Sequence, residues 1–148
     1  MRTVSADAEI PAPPGAVFEF LADLANLPNW QSGIVSAELT TPPPIGPGSR
    51  AHVVRELLGQ RLEVDVTLVG YEPGRQLRLE SAASGIGIQA TLDLAPSDAG
   101  TALTFSMDIR AQSIFMAPAE GMIAGAAERD LADSLERIRA HFAEAGPG

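Results

Sequence analysis

The sequence predicts an α+β fold in which a curved antiparallel sheet wraps around one long C-terminal helix. Segments that alternate apolar and polar residues recur through the middle of the chain, and this period of two is typical of half-buried strands. An apolar stripe of helical period then occupies the last third. Six strands in succession favour an antiparallel meander, and a sheet of that length curls as its twist accumulates.

The first thirty residues predict one strand followed by two short helices. Apolar and polar side chains alternate over residues 3–10, and the prolines that follow end this strand. Pro13 or Pro14 suits a first helical turn, where the missing N–H costs little. Apolar residues at helical spacing over 17–24 then predict a helix. Residues 26–30 predict a second short helix or turn that places Trp30.

Six further strands are predicted before the terminal helix. They cover residues 34–40, 50–58, 60–71, 76–82, 86–94 and 101–110, with glycine- or proline-containing loops and turns between most of them. Within residues 62–68, leucine and valine alternate with glutamate, aspartate and threonine. One face of this strand is therefore expected to point inward and the other toward solvent.

The terminal helix is predicted over residues 113–145, and its core-facing stripe changes in size along its length. The bulky members of the stripe are Leu131, Leu135, Ile138 and Phe142. Continued toward the N-terminus, the same line reaches Ala127, Ala124, Glu120 and Ala117. The small half predicts room for a ligand between helix and sheet. Pro118 predicts either a kink or a late helix start, because proline removes an interior hydrogen bond.

Length, charge and composition exclude several classes of function. The 148 residues predict a single domain, residues 1–148. The net charge of −9 disfavours binding to nucleic acid or to an anionic membrane. The sequence has neither cysteine nor lysine, which excludes disulfides, thiolate catalysis, cysteine-based zinc sites and Schiff-base chemistry. We see no leader and no membrane-spanning run, so we expect a cytoplasmic protein without membrane insertion.

Three stretches of the sequence, taken in order, resemble a known superfamily. They are residues 10–30, with Ile-Pro-Ala-Pro-Pro-Gly-Ala-Val-Phe and Leu-Pro-Asn-Trp, residues 46–50, Gly-Pro-Gly-Ser-Arg, and residues 69–77, Val-Gly-Tyr-Glu-Pro-Gly-Arg-Gln-Leu. Together they are similar to the START/Bet v 1-like superfamily, also called SRPBCC, and to its polyketide cyclase/dehydrase-like branch. The resemblance implies a helix-grip fold with a cavity beside the N-terminal half of the long helix. It implies either binding of hydrophobic molecules or cyclisation of polyketides, since fold does not fix function.

Glu120 and two glycines lie on or beside the small half of the stripe. If Glu120 faces the core, it is a candidate to bind a ligand hydroxyl or to act as a general acid or base. If the turn at Pro118 rotates it outward, it is a solvated residue near a helix N-terminus, where the helix dipole favours acids. Gly121 and Gly125 either make space for a ligand or allow close contact with the sheet or a second chain.

Arg55 is the second candidate for chemistry. Strand parity places it with Ala51 and Val53 on the more apolar face, which is expected to point inward. There it would anchor a carboxylate or enolate oxygen. Alternatively, it extends to solvent or pairs with an acid. His52 lies on the opposite face of this strand and lacks a third metal ligand nearby. Trp30, after the second short helix, is expected to anchor the core and to line the cavity.

We therefore expect a monomer or homodimer that binds a small hydrophobic ligand, such as a lipid or polyketide, in an internal cavity without a metal or other cofactor. The alternative is a polyketide aromatase/cyclase that acts on a poly-β-ketone, with Glu120 and Arg55 as catalytic residues. A third alternative is an interaction protein related to heat-shock co-chaperones. The candidate ligand-binding residues are Trp30, Val53, Arg55, Val64, Val66, Ile88, Phe105, Met107, Ala117, Glu120, Gly121 and Ala124.

Overall fold

The computed structural model describes residues 1–57, 59–83 and 85–145. Its strands are β1 (Arg2–Ile10), β2 (Ile34–Leu39), β3 (Arg50–Leu57), β4 (Gln60–Glu72), β5 (Gln76–Ala83), β6 (Ile86–Ser97) and β7 (Gly100–Ala111). Its α-helices are α1 (Pro14–Ala22), α2 (Leu27–Trp30) and α3 (Ala119–Ala145), and 3-10 turns lie at Leu24–Asn26 and Ile114–Met116. Leu58, the predicted end of the third strand, lies outside the described residues.

All seven strands form one antiparallel sheet in the order β1-β7-β6-β5-β4-β3-β2. From β2 to β7 each strand pairs with the next along the chain, as a meander does. β1 pairs with β7, with Val4 opposite Met107, and so adds the seventh strand at the far edge. This architecture confirms the predicted α+β helix-grip fold.

α1 follows β1 directly, so it lies at the end of the sheet at which β1 finishes. Pro13 precedes α1 in an extended conformation and Pro14 occupies its first turn, where proline loses no hydrogen bond. The helical spacing that follows places Val17, Phe18 and Leu21 in the core, each at most 2% exposed. The helix packs against β5, β6 and β7. We call this part of the sheet the α1 end.

α3 begins at Ala119, so the predicted start at residue 113 is wrong. A 3-10 turn at Ile114–Met116 occupies the predicted first turn, and Pro118 directly precedes the helix. The cause is the one expected for proline, which cannot donate an interior hydrogen bond but is tolerated where a helix begins. Ala117 consequently lies outside the helix and is exposed. The bulky half of the stripe packs as predicted, and Leu131 and Ile138 are fully buried.

The inner face of the sheet is covered unevenly. The side chains that are fully buried toward the α1 end include Leu68, Leu77, Leu92 and Leu103. The other end carries the β3–β4 and β5–β6 hairpins, and we call it the hairpin end. There the inner-face residues Leu62, Ser81 and Ile88 are only half-buried. The register pairs the half-buried Ser81 with the half-buried Ile88 of β6 and with Val66 of β4, which is 7% exposed, so the less covered surface joins β5 to β6.

α3 starts at the hairpin end and approaches β1 and β7 most closely. The connection before it is held against the β5–β6 hairpin by a 2.8 Å hydrogen bond from the Gln112 N–H to the Gly85 carbonyl. Ile114, Phe115 and Met122 are exposed in this region. Within the described residues, none of the helices combines the length and the apolar character needed to cross a bilayer.

Candidate functional site

Most of the sequence-predicted ligand-binding residues share the inner face of the sheet. Strand parity places them there, since each follows the same alternation as its buried neighbours. These residues are Val53, Arg55, Val64, Val66, Ile88, Phe105 and Met107, of which Ile88 is half-buried and the others are buried. Ala124 lies opposite them on α3, 8% exposed. The structure therefore brings eight of the twelve predicted residues to one region, beside Trp30.

The buried face of the first half of α3 carries small side chains. Ala124 and Ala127 are buried there together with Ile123, the one large side chain among them. Alanine presents only a methyl group to the sheet, and the helix lies over β1 and β7 rather than over the middle strands. The first half of the helix thus offers little side-chain volume to the sheet.

Ala117 and the two glycines lie away from this region. Ala117 is exposed before the helix begins. A Cβ atom added to Gly121 would lie 3.5 Å from Nη2 of Arg2, so this glycine faces the start of β1. Gly125 is exposed, and an added Cβ would have no described atom within 4 Å. Close approach of helix and sheet at Gly121 is ordinary van der Waals contact, which alanine would also allow.

Glu120 occupies a setting that neither interpretation of the sequence describes. Its Oε2 accepts a 2.6 Å hydrogen bond from the backbone N–H of Ala111, the last residue of β7. Its Oε1 lies 3.1 Å from the amino group of Met1. The hydrogen bond from Ala111, with the nearby amino group, holds the pKa of this carboxyl below its usual range. Glu120 therefore ties the start of α3 to β7 and β1.

Arg55 is buried with part of its hydrogen-bonding capacity unused. The side chain is 7% exposed, and its Nε–H has no partner among the described residues. Among the described residues, no carboxylate oxygen lies within 4.0 Å of an Arg55 side-chain nitrogen, the distance that an ion pair requires. Burial lowers the pKa of the guanidinium, and the more distant Asp130 carboxylate partly offsets this. Arginine remains charged at any physiological pH, so a cation lies in the protein interior without a contacting counter-charge.

Gly33 and Asp130 border the Arg55 side chain. A Cβ atom added to Gly33 would lie 3.4 Å from Oδ2 of Asp130 and 3.8 Å from Nη2 of Arg55. Gly33 has φ +93°, a backbone conformation that residues other than glycine rarely adopt. Its carbonyl accepts a 2.7 Å hydrogen bond from the Glu56 N–H. Burial raises the pKa of the Asp130 carboxyl, and Arg55 partly offsets that rise. The glycine leaves open the space between the two charged groups.

Trp30 supplies a second buried donor without a partner. The side chain is fully buried, and its ring centroid lies 5.8 Å from that of Phe105 on the inner face. The indole Nε1–H has no hydrogen-bond acceptor in the structure. A buried donor left unsatisfied costs about 1–3 kcal/mol, and buried indoles usually have an acceptor. Trp30 therefore adds an unused polar group to an otherwise apolar surface.

His52 lies on the outer face of β3 between two carboxylates of β4. Its Nε2 is 3.0 Å from Oε1 of Glu63, and its Nδ1 is 3.1 Å from Oδ1 of Asp65. These contacts, led by the one with Glu63, raise the pKa of His52. Among the described residues no group of three or more histidine, aspartate or glutamate side chains is arranged to hold a metal ion. The cluster is a solvated ion-pair network on the outside of the sheet.

Sequence reasoning missed Asp130, Gly33 and Ser81. Asp130 lies three residues after Ala127, so helical spacing alone would have placed it beside the small half of the stripe. Ser81 continues the inward alternation of Leu77 and Leu79, which was a usable signal. Nothing in the sequence indicates that Gly33 lies between Arg55 and Asp130, because that contact joins three separate elements.

A family model and a bacterial relative each match nearly the whole chain. Residues 1–143 match the family described as "Polyketide cyclase / dehydrase and lipid transport". Uncharacterized protein Rv1546 of Mycobacterium tuberculosis is 23% identical over 145 residues, which are 97% of this chain and 98% of that protein.

Solved structures share the fold at low sequence identity. Protein TTHA0849 of Thermus thermophilus has TM-score 0.79 and 18% identity and covers 98% of this chain and 99% of its own. A START superfamily protein of Mycobacterium smegmatis has TM-score 0.79 and 14% identity over 97% of this chain and 98% of its own. The di-domain ARO/CYC BexL from the BE-7585A biosynthetic pathway has TM-score 0.75 and 18% identity over 99% of this chain and 48% of its own. The chain belongs to the polyketide cyclase/dehydrase and lipid transport family.

Proposed function

We propose that this protein binds a small hydrophobic molecule between the inner face of the sheet and the first half of α3. The observation that carries the proposal is the change in burial along the inner face. Leu68, Leu77, Leu92 and Leu103 are fully buried toward the α1 end, whereas Leu62, Ser81 and Ile88 are half-buried nearer the hairpin end. The helix presents Ala124 and Ala127 on its buried face.

The energetics of apolar burial favour an apolar occupant at this place. Fully burying a leucine or isoleucine side chain is worth about 1.5–3 kcal/mol relative to leaving it exposed. A hydrophobic molecule that covers Leu62 and Ile88 would gain part of that free energy from the protein and more from its own surface. Ligand pockets are typically apolar with a few polar groups that orient the ligand. On the inner face, Arg55 and Ser81 are polar.

A polyketide cyclase would use the same space but needs groups that move protons. The two candidate catalytic residues are far apart in the sheet order, because Arg55 lies on β3 while Glu120 contacts β1 and β7. Both oxygens of Glu120 already have partners. An arginine does not exchange protons near neutral pH. The arrangement therefore supports binding better than acid–base catalysis.

Filling the proposed space tests the binding function directly. Ala124→Leu places a large apolar side chain on the buried face of α3, and Ala132→Leu makes the same change at an exposed position of the same helix. If the space is open, Ala124→Leu keeps its thermal stability and loses ligand binding. If the space is already packed, the added methyl groups cost about 1–3 kcal/mol and lower Tm.

Ligand binding can be followed through Trp30, the only tryptophan of the chain. Gently purified protein is first examined by native mass spectrometry for a retained hydrophobe, and then titrated with fatty acids, quinones and aromatic polyketides while Trp30 emission and Tm are recorded. We expect a retained molecule or a saturable response in wild type and in Ala132→Leu, and none in Ala124→Leu. Apo protein only, with no response to any of the three classes, would reject the proposal.

A further inference from the structure

The strongest polar feature of the proposed binding region is the guanidinium of Arg55. It lies two residues before the end of β3, opposite Ile34 on β2 and Leu62 on β4. Val53, two residues earlier on the same face, is 1% exposed. The cation is thus set among apolar side chains at the hairpin end, where its Nε–H has no partner in the part of the chain that the structure describes.

We infer that the ligand is an amphiphile with an anionic oxygen group, a carboxylate or enolate, which binds Arg55 beside Gly33 while its apolar body lies along the inner face. This inference rests on the proposed binding function and names the class of molecule. A planar guanidinium offers five donors in a fork that matches the two oxygens of a carboxylate. A neutral hydroxyl would accept hydrogen bonds from fewer of these donors and would not neutralise the charge of the guanidinium.

The local electrostatics favour an anion in spite of the acidic surface. The charged group that faces Arg55 from α3 is Asp130, and it lies outside ion-pair distance of the guanidinium. The chain's net charge of −9 resides mostly on exposed side chains, whose fields are screened by salt. A buried charge pair is screened much less, so contact with Arg55 outweighs the distant acids.

Gly33 carries no side chain next to the Arg55 guanidinium. A single Cβ atom here would approach both Oδ2 of Asp130 and Nη2 of Arg55, at 3.4 and 3.8 Å. Gly33 therefore adds no side-chain atom beside the carboxylate and the guanidinium. A ligand oxygen that reaches Arg55 would complete its hydrogen bonds. The nearby Asp130 carboxylate would repel an anionic oxygen, so the attraction of the guanidinium has to exceed that repulsion.

Matched acids and alcohols test the inference. Straight-chain fatty acids of increasing length and the primary alcohols of the same lengths are titrated at mildly alkaline pH, below their aggregation thresholds, by calorimetry and Trp30 emission. The variants are Arg55→Met and Arg55→Lys. Arg50→Met is the control, since it removes the same charge from an exposed position of the same strand.

We expect wild type to bind an acid roughly tenfold or more tightly than its alcohol, which is the effect of one additional charge-assisted hydrogen-bonded pair. Arg55→Met should lose that preference while still binding alcohols, Arg55→Lys should keep part of it, and Arg50→Met should keep all of it. Equal affinity for acid and alcohol in wild type overturns the inference and leaves the binding function standing. Binding of neither at any chain length overturns both. If Arg55→Met does not fold, the wild-type preference and Arg55→Lys still decide the question.

Discussion

Replacing Ser134 by alanine should destabilise the protein through one buried hydrogen bond. Ser134 lies on α3, is fully buried, and its Oγ accepts the backbone N–H of Ser32 at 2.9 Å. Ser32 is 9% exposed, so water cannot readily replace the lost acceptor. Leaving a buried donor unsatisfied costs about 1–3 kcal/mol. Alanine favours a helix over serine by roughly 0.5 kcal/mol, which offsets part of that loss.

The net expectation for Ser134→Ala is a loss of about 1–2 kcal/mol in the free energy of unfolding. For a chain of this size that corresponds to a fall in Tm of roughly 2–8 °C. Urea unfolding followed by circular dichroism gives the free energy, and calorimetry gives Tm. Ser36→Ala, at an exposed position of β2, is the control and should change stability by less than about 0.5 kcal/mol. Equal stability of the two variants would show that the Ser32–Ser134 bond contributes nothing.

Three further substitutions test other parts of the fold. Gly100→Ala should lower stability by roughly 3 kcal/mol or more, because φ is +139° and the new Cβ would lie 2.6 Å from backbone atoms at and just after the end of β1. Its control is Gly15→Ala, which has open space around it and should not be destabilising. Equal Tm values for the two variants would contradict this prediction. Because the pKa of Glu120 is lowered in the folded protein, its carboxylate stabilises the fold above pH 4.5, and this stabilisation is lost as pH falls through the lower pKa of the folded state. Stability should therefore fall more steeply in acid for wild type than for Glu120→Gln. Parallel curves of stability against pH would refute this prediction. Because the pKa of His52 is raised in the folded protein, its ion pairs stabilise the fold fully below pH 6.5, and this stabilisation is lost as pH rises through the higher pKa of the folded state. His52→Asn should therefore reduce the loss of stability in that range and leave the loss of stability in acid unchanged. An unaltered loss of stability with rising pH would count against the ion pairs.

The strands could be predicted from the sequence because their signal is local. Alternation with a period of two decides which face of a strand is apolar, and it placed Arg55 on the inner face of β3 before any long-range contact was known. The order of the strands then follows from connections too short for anything but a meander. The same reasoning assigned Leu131 and Ile138 to the core, since both lie in a long, regular part of α3.

The site itself depends on contacts between elements that no local pattern encodes. Glu120 lies within two residues of Pro118, where helical phase is least regular, and its partner is a strand-end N–H rather than the core. Asp130 of α3 and Arg55 of β3 come near each other beside Gly33, which precedes β2, so three separate elements form this contact. The position of α3 over β1 and β7 is likewise a property of packing and not of the helix sequence. Residue type and parity therefore identified Arg55, whereas its surroundings required the structure.

Replacing Arg55 distinguishes a binding role from a structural one. The two roles predict different effects on the stability of the empty protein and on the rise in Tm that a ligand produces. A residue that serves only the fold lowers the stability of the empty protein when it is replaced. Arg55→Met removes a buried cation that has no contacting counter-charge, so the empty variant should be as stable as wild type or more stable. A ligand at a hundred times its Kd stabilises the folded state by about 2.7 kcal/mol, which here means a rise in Tm of roughly 5–10 °C. We expect a fatty acid to produce that rise in wild type and little of it in Arg55→Met, as differential scanning fluorimetry would show. A variant that melts well below wild type when empty, yet keeps the full ligand-induced rise, would assign Arg55 to the fold alone.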